Sequence, residues 1–355
     1  MEHILQGFRD RIIDANTAAN ADGKPLRIVA GASKDWYGNA LAGDVFDVSA
    51  WRGIVHYDPT ELVITARCGT PLADIEAALA EHGQMLAFEP PHFGATATIG
   101  GTISCGLSGP RRQAAGAARD FVLGAVLMDA KGEVLHFGGQ VMKNVAGYDV
   151  ARLLAGSLGM LGLITEVSVK VLPQPAAQCT LSLPMDQTEA IAKLNHWAGQ
   201  PLPLTASAWT DGVLHLRVAG ARAAVDAACK KFGGTVMEDA AAFWAGLREH
   251  THPFFDAPVL WRLSLPPTTP PLDLGGVQLI EWGGAQRWLR SEAGAAQIRA
   301  AAERAGGHAT LFRGGDKSAG VFHPLAPAVL QVHRNLKAAF DPRGIFNPGR
   351  LVQGL

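Results

Sequence analysis

Neither sign of charge predominates in this chain: 31 Lys and Arg stand against 32 Asp and Glu, a formal net charge of −1 with pI near 6.9. No whole-chain excess of positive charge is left to condense on nucleic acid or anionic lipid, which sets those partners aside. No apolar run reaches membrane-spanning length. The opening MEHILQGFRDRIIDA carries charges throughout, without the basic-then-apolar order of a signal peptide, so a cytoplasmic location with no direct membrane span is expected. Cysteine is scarce. Cys68, Cys105, Cys179 and Cys229 stand singly with no C-x-x-C pair, which excludes a disulfide framework or an iron–sulfur cluster built from this chain alone and reads as free buried thiols. The dinucleotide fingerprint G-x-G-x-x-G is also absent, and GSLGMLG (156–162) runs into a strand where that fingerprint opens a helix, so a nicotinamide Rossmann domain is disfavoured. GGDKSAG (314–320) is a poor P-loop, because Asp316 separates Gly315 from Lys317 and Thr310 replaces the first glycine; it reads as a surface turn.

What is present is a chain of 355 residues, 48% hydrophobic and 18% charged, long enough for two domains with a sizeable core. ELVITARCG (61–69) reads as a strand, and TPLADIEAALAEHG as a following helix with Thr70 as N-cap, Pro71 in the first turn and Gly83 closing it. FVLGAVLMDAKGEVLHFGG (121–139) reads as two strands joined at Ala130–Gly132. In TEVSVKV, Val167, Val169 and Val171 alternate with Glu166, Ser168 and Lys170, the period of a strand. LPQPAAQ (172–178) breaks this periodicity at a domain boundary. Beyond it come a hairpin turning at Asp211–Gly212, the helix ARAAVDAACKKFGG, the proline-rich link SLPPTTPPLDLGG, a second hairpin in VQLIEWGGAQRWLR and the helix EAGAAQIRAAAERAGG. The second half is a small α+β domain, and no internal repeat is legible in the sequence. Six tryptophans, 197, 209, 244, 261, 282 and 288, lie in it and suit either surfaces covered by partners or a core.

Glycine is abundant where chemistry is expected. TIGGTISCGLSGPRR (98–112) holds glycine at 100, 101, 106 and 109 and closes on two arginines; AGASKDWYG (30–38) and GSLGMLG (156–162) are two more such stretches. Glycine has no Cβ to hold a ligand away and accepts φ > 0, so clustered glycines let successive backbone N–H groups converge on phosphate oxygens. Three stretches in one half of the chain point to a phosphate-bearing cofactor large enough to touch several loops.

The order RIVAGASKDWYG, FEPPHFGATATIGGTISCGLSGPRRQAAGAARDFVLGAVLMDAKGEVLHFGG, VMKNVAGYDVARLLAGSLGMLGLITEVSVKVLP and FDPRGIFNPGRL resembles the PCMH-type FAD-binding domain of the vanillyl-alcohol oxidase superfamily and, within it, the FAD-binding subunits of bacterial glycolate oxidase. The resemblance implies an α+β fold: an FAD-binding domain of two α+β subdomains over 1–172, a smaller α+β cap domain with an antiparallel sheet over 179–327, and a C-terminal helix and tail over 328–355 that returns to the FAD domain. It implies that Gly31, Ala32, Ser33, Lys34 and Asp35 form the first pyrophosphate loop. Thr98, Ile99, Gly100, Gly101, Ser104 and Gly109 then form a second loop beside pyrophosphate and flavin. Arg111 and Arg112 neutralise a phosphate or a substrate carboxylate, or pair with acids to shape that loop. Gly116, Asp120, Gly159, Gly162, Ile164 and Glu166 belong to the stretches that hold adenine and ribose, and Asn347 to a tail that returns to the flavin.

Two departures from the family pattern limit what carries over. Relatives that attach flavin covalently do so through His or Cys, whereas the first loop offers Ser33 and Lys34, and Cys68 sits within a strand; dissociable FAD is expected. Hydroxy-acid-oxidising relatives carry H-x-x-G-D-G-N-x-H in the cap, whereas HATLFRGGDKSAGVFHP keeps only His308, Asp316 and His323, so no metal site is expected. HTHP (His250, His252) reads as two surface histidines or a fragment of a ligand pair. The resemblance implies a subunit of a glycolate (2-hydroxy acid) dehydrogenase complex, with a second, larger FAD subunit and an iron–sulfur subunit as partners and the inner face of the membrane reached through them. A self-sufficient flavin dehydrogenase and a structural subunit with a vestigial FAD site are the alternatives. No catalytic residue is assigned.

Overall fold

The computed structural model describes residues 2–18, 24–139 and 149–355. The VMKNVAGY part of the family-like pattern, 141–148, lies outside the described residues. In chain order the first part comprises α1 (Glu2–Thr17), β1 (Leu26–Val29), β2 (Asp44–Asp47), β3 (Ile54–Asp58), β4 (Val63–Arg67), α2 (Leu72–Ala80), β5 (Gln84–Met85), α3 (Ile99–Cys105), α4 (Arg112–Ala115), α5 (Ala118–Phe121), β6 (Val122–Met128), β7 (Val134–Gly138), α6 (Val150–Leu153), β8 (Leu163–Lys170) and β9 (Leu172–Pro173). Strands β3-β4-β8-β6-β7 form an antiparallel sheet in that order, and β1 and β2 form a separate parallel pair.

The alternation expected around Val167 is present, since Val167, Val169 and Val171 are all buried. The opposite face of β8 is not simply solvated, however: Ser168 is buried too and shares a hydrogen bond of 2.8 Å with Thr65 on β4. Helix α2 presents Leu72, Ile75 and Leu79 at i, i+3 and i+7 to this sheet, each fully buried and worth about 2 kcal/mol by removal from water. It begins at Leu72 with Pro71 as N-cap, which corrects the assignment of Thr70. The Thr70 hydroxyl instead accepts from the Gly53 amide at 2.9 Å and donates to the Arg67 carbonyl at 2.7 Å. A second core joins Phe8 and Ile12 of α1 to Phe46, Val48 and Trp51, and to Ile345 and Phe346 from the far end of the chain.

From Ala177 the chain builds an eight-stranded antiparallel sheet. Its elements are β10 (Ala177–Pro184), α7 (Gln187–Ala198), β11 (Leu204–Thr210), β12 (Val213–Gly220), α8 (Arg222–Phe232), β13 (Thr235–Val236), α9 (Ala240–Glu249), β14 (Val259–Ser264), β15 (Val277–Glu281), β16 (Gln286–Arg290), α10 (Ala295–Arg304) and β17 (His308–Gly314). The strand order is β13-β10-β12-β11-β15-β16-β14-β17. The first four strands follow a β-α-β-β-α-β path with spatial order fourth, first, third, second; the last four repeat that order in mirror sequence, with the proline-rich link in place of one helix. The chain therefore has a repeat in topology that its sequence does not show. Both predicted hairpins form, the first turning on Asp211 and Gly212 at φ of 51° and 78°, as a two-residue turn with two left-handed positions requires. Of the six tryptophans, 244, 261, 282 and 288 are buried and 197 and 209 pack against the core, so the core explains them. The chain then runs through α11 (Pro327–Phe340) and comes back to the first part, where Phe346 bridges Leu26.

Candidate functional site

Four segments distant in sequence line a cleft that measures about 810 Å³ with the open solvent at its mouth: the loop after β1, the start of α3, the glycine-rich turn before β8, and the C-terminal tail. The first loop is held by a close approach. A Cβ on Gly31 would lie 1.6 Å from the Thr96 carbonyl oxygen, and the Thr96 hydroxyl donates to the Gly31 carbonyl at 2.5 Å. Ala32 follows in the left-handed region at φ 54°. Among the described residues, the amides of Gly31, Ala32, Ser33 and Lys34 have no protein acceptor. Four consecutive unpaired N–H groups on a concave turn make an anion cradle.

The second glycine stretch is not a loop of bare backbone but the first turn of α3, and neither Gly100 nor Gly101 has positive φ. Thr98 caps the helix, accepting from the Gly101 amide at 3.3 Å. Gly100 is required because a Cβ there would sit 2.6 Å from Cys68 Cβ, so the helix could not seat against β4; Gly101 meets only Thr98 Oγ1 and otherwise faces the cleft. The turn before β8 is tied to α3 by hydrogen bonds from Gly156 to Ile103 and from Leu158 to Ser104. Asn347 fastens the tail, its Oδ1 accepting from the Ile28 amide at 2.8 Å and its Nδ2 donating to the Leu158 carbonyl at 2.7 Å.

Thus Gly31 to Asp35, Thr98, Gly100, Gly101, Ser104, Gly159, Gly162, Ile164 and Asn347 are brought together, while Ile99 is buried behind them. Gly109, Arg111, Arg112, Gly116 and Asp120 do not line this cleft. The Gly109 carbonyl accepts from Trp282 Nε1, Arg111 pairs with Glu89, and the Arg112 guanidinium stacks 4.3 Å from the Trp282 ring. Asp120 accepts from the Ala117 amide at 2.8 Å beside Gly116, and Glu166 faces Arg67 at 3.9 Å. Sequence reasoning missed Cys68, Cys105 and Arg350, which also border the cleft. Burial pushes the Cys68 thiol up to about 12 and the Cys105 thiol up to about 11. Arg350 donates to the carbonyls of Asn39 and Asp35, and a cation directly after the NPG turn was the signal that could have found it. Lys34 is buried, which lowers its pKa, and its Nζ donates to the His92 carbonyl at 3.1 Å. The 314–320 turn contributes Lys317, whose Nζ donates to the carbonyls of Trp36 and Gly38 at 2.7 and 3.0 Å.

Between this cleft and the eight-stranded sheet lies an aromatic block of Trp36, Tyr37, Phe312, Trp288 and Phe255. His250 stacks on Phe255 at 3.9 Å, and burial lowers its pKa well below the usual value; it is not the surface residue the sequence suggested. His252 is half-buried beside Phe243. Glu281 is enclosed in the same block, accepting from Trp288 Nε1 at 2.7 Å and Gln286 Nε2 at 3.1 Å, and burial raises its pKa to about 7. His308 and His323 stand 6.5 Å apart, and among the described residues no group of three His, Cys, Asp or Glu side chains is placed to hold a metal ion. Nor is any described helix long and apolar enough to cross a membrane.

Comparison with known proteins gives concordant matches. The FAD binding domain family matches residues 9–138, and the C-terminal domain of FAD linked oxidases matches residues 313–351. The chain is 49% identical over 349 residues to the glycolate oxidase subunit GlcE of Escherichia coli, covering 98% of both. It is 26% identical to the D-lactate dehydrogenase of Archaeoglobus fulgidus over 84% of this chain and 79% of that one, and 35% identical to the glycolate oxidase subunit GlcD of Bacillus subtilis over 39% and 30%. Among solved structures, an alkyldihydroxyacetonephosphate synthase superposes with a TM-score of 0.65 at 14% identity, covering 97% of this chain and 74% of that one, a likeness of fold.

Proposed function

The chain belongs to the FAD-linked oxidases, a family of FAD-dependent oxidoreductases, and from that premise we propose that it is the FAD-binding subunit of a complex that oxidises glycolate to glyoxylate. The observation that carries the reading is the cleft. Four consecutive unpaired amides, a helix start stripped of Cβ atoms at Gly100 and Gly101, and a tail fastened by Asn347 fit a long phosphate-bearing cofactor. In this reading Gly31 to Asp35 hold the pyrophosphate; Thr98, Gly101 and Ser104 lie beside it and the flavin; Gly159, Gly162 and Ile164 flank the adenosine side. Gly109, Arg111, Arg112, Gly116 and Asp120 support the cofactor side from outside the cleft. Residues 1–172 and 328–355 form the cofactor-holding unit, and 179–327 the cap.

When bound, FAD accepts a hydride equivalent from a 2-hydroxy acid. The cap lacks the relatives' metal-binding spacing, and its buried Glu281 is already engaged by Trp288 and Gln286, while His250 stacks on Phe255 with its Nδ1 shielded and without a hydrogen-bond partner. The four cysteines are free and only Cys179 and Cys229 are neighbours, too few to hold a cluster, so a one-electron outlet from the flavin must come from elsewhere. Both points favour a subunit that works with a larger, GlcD-like FAD subunit and an iron–sulfur subunit in the cytoplasm, over a self-sufficient dehydrogenase. The test is anaerobic addition of glycolate to the FAD-loaded chain, followed by the visible flavin absorbance. Absence of bleaching alone, with reduction restored on adding the partner subunits, is expected. Rapid bleaching of the isolated chain, at the rate of the assembled complex, overturns the subunit reading in favour of the self-sufficient enzyme.

A further inference from the structure

A second cleft, of about 940 Å³, opens where the Gln174–Gln178 connection leaves the first part and α9 crosses it. It shares no lining residue with the cofactor cleft. Arg111 enters it from just before α4, Arg217 from β12 and Arg248 from α9, around Glu89. Glu89 Oε1 lies 2.8 Å from Arg217 Nη2 and 3.4 Å from Arg111 Nε, and Arg248 Nε donates to Glu249 at 2.7 Å.

These contacts leave donors over. Arg111 and Arg217 are only 8% and 4% exposed, and Arg217 Nε is shielded without any acceptor. Among the described residues, neither the two Nη groups of Arg111 and of Arg248 nor Nη1 of Arg217 meets a protein acceptor. With Glu281 protonated, three guanidinium groups against the carboxylates of Glu89 and Glu249 leave one positive charge, three minus two; ionised Glu281, which interacts with Glu89 and Arg217, would cancel it. The remaining wall is mixed, with Gln174 and Gln178 on one side and, on the other, Met85, Ala241, Ala245 and the Trp244 ring, 5.0 Å from the Arg217 guanidinium.

We propose that this cleft is a binding subsite for a small organic monocarboxylate, gripped by the unused guanidinium forks with its short carbon body on Trp244. A single carboxylate neutralises the single residual charge, whereas a phosphate dianion would overfill it and set a second negative charge against Glu89. Because the forks come from both parts of the chain, occupancy ties α9 and β12 of the cap to the segment carrying Arg111.

The experiment is a titration of the FAD-loaded full chain with ¹³C-acetate followed by NMR line broadening at constant ionic strength. Acetate has no 2-hydroxyl to oxidise, so binding is read without turnover. Saturable binding is expected, weakened about tenfold or more in Arg248→Gln and less in Arg248→Lys, which keeps the charge but loses the fork. Arg248 is partly exposed, so circular dichroism and flavin content should be unchanged. Inorganic phosphate should displace acetate only at higher concentration. No saturable acetate binding, an unchanged affinity in both Arg248→Gln and Arg111→Gln, or displacement by phosphate at equal concentration overturns the proposal. Flavin content is measured on the same samples, so failure of the FAD assignment registers separately.

Discussion

Lys337 and Asp341, one helical turn apart at the end of α11, form an ion pair of 2.6 Å that is buried on both sides, the side chains being 8% and 0% exposed. All three donors of Lys337 Nζ are used, the other two going to the carbonyls of Met160 and Phe346, and the Asp341 oxygens also accept from the amides of Ile345 and Phe346. The pair therefore folds the chain back just ahead of Asn347, which seats the tail in the cofactor cleft. Asp341→Ala leaves an uncompensated buried ammonium and two unpaired amides, and should cost about 3–5 kcal/mol. Urea unfolding would show this as a lower midpoint, with reduced flavin content; an unchanged midpoint would mean that the tail is held without the pair.

Gly101→Val places a branched side chain at the cleft wall of α3, where the nearest obstacle to a Cβ is Thr98 Oγ1 at 3.3 Å. The backbone is helical there and needs no special φ. Flavin content should fall steeply while far-ultraviolet circular dichroism is preserved. Full flavin occupancy in this variant would put the cofactor elsewhere.

FAD should be released by acid precipitation, leaving a colourless pellet. The two thiols that border the cleft, Cys68 and Cys105, are held in their neutral form by burial, with pKa values near 12 and 11, and the thiolate is the nucleophile. Yellow colour retained in the pellet would demonstrate a covalent link.

Glu281 gives the molecule a pH dependence. Its pKa is raised by burial to about 7 from 4.5, so the folded state binds the proton more tightly than the unfolded chain. The stability this provides is complete below pH 4.5 and is lost as pH rises through 7, to the extent of about 3 kcal/mol. Glu281→Gln should flatten the fall in urea midpoint between pH 5 and 8 while keeping the hydrogen bond from Trp288. The same slope in the variant would assign the pH dependence to another group.

The sequence alone determined what depends on neighbours along the chain. The valine alternation of β8, the Asp211–Gly212 hairpin and the i, i+3, i+7 face of α2 are local patterns with local consequences. The glycines at 31, 100, 101, 159 and 162 marked the backbone of one cleft, the one proposed to hold FAD, because a missing Cβ is visible in the sequence. Tertiary structure decided the rest. The need for glycine at 31 and 100 arises from the approach of Thr96 and Cys68, not from φ. Arg111 and Arg112 follow the same glycines along the chain, yet Arg111 pairs with Glu89 and Arg112 stacks on Trp282, outside the cleft that those glycines line. The two four-stranded halves share a path without a repeat legible in the sequence, because strands pair edge to edge through backbone hydrogen bonds that nearly any side chain allows. Asn347 reaches Ile28 across 319 positions of chain; no periodicity encodes such a contact, which forms where the burial of Ile345 and Phe346, the bridge of Phe346 to Leu26 and the Lys337–Asp341 pair bring the tail back onto β1.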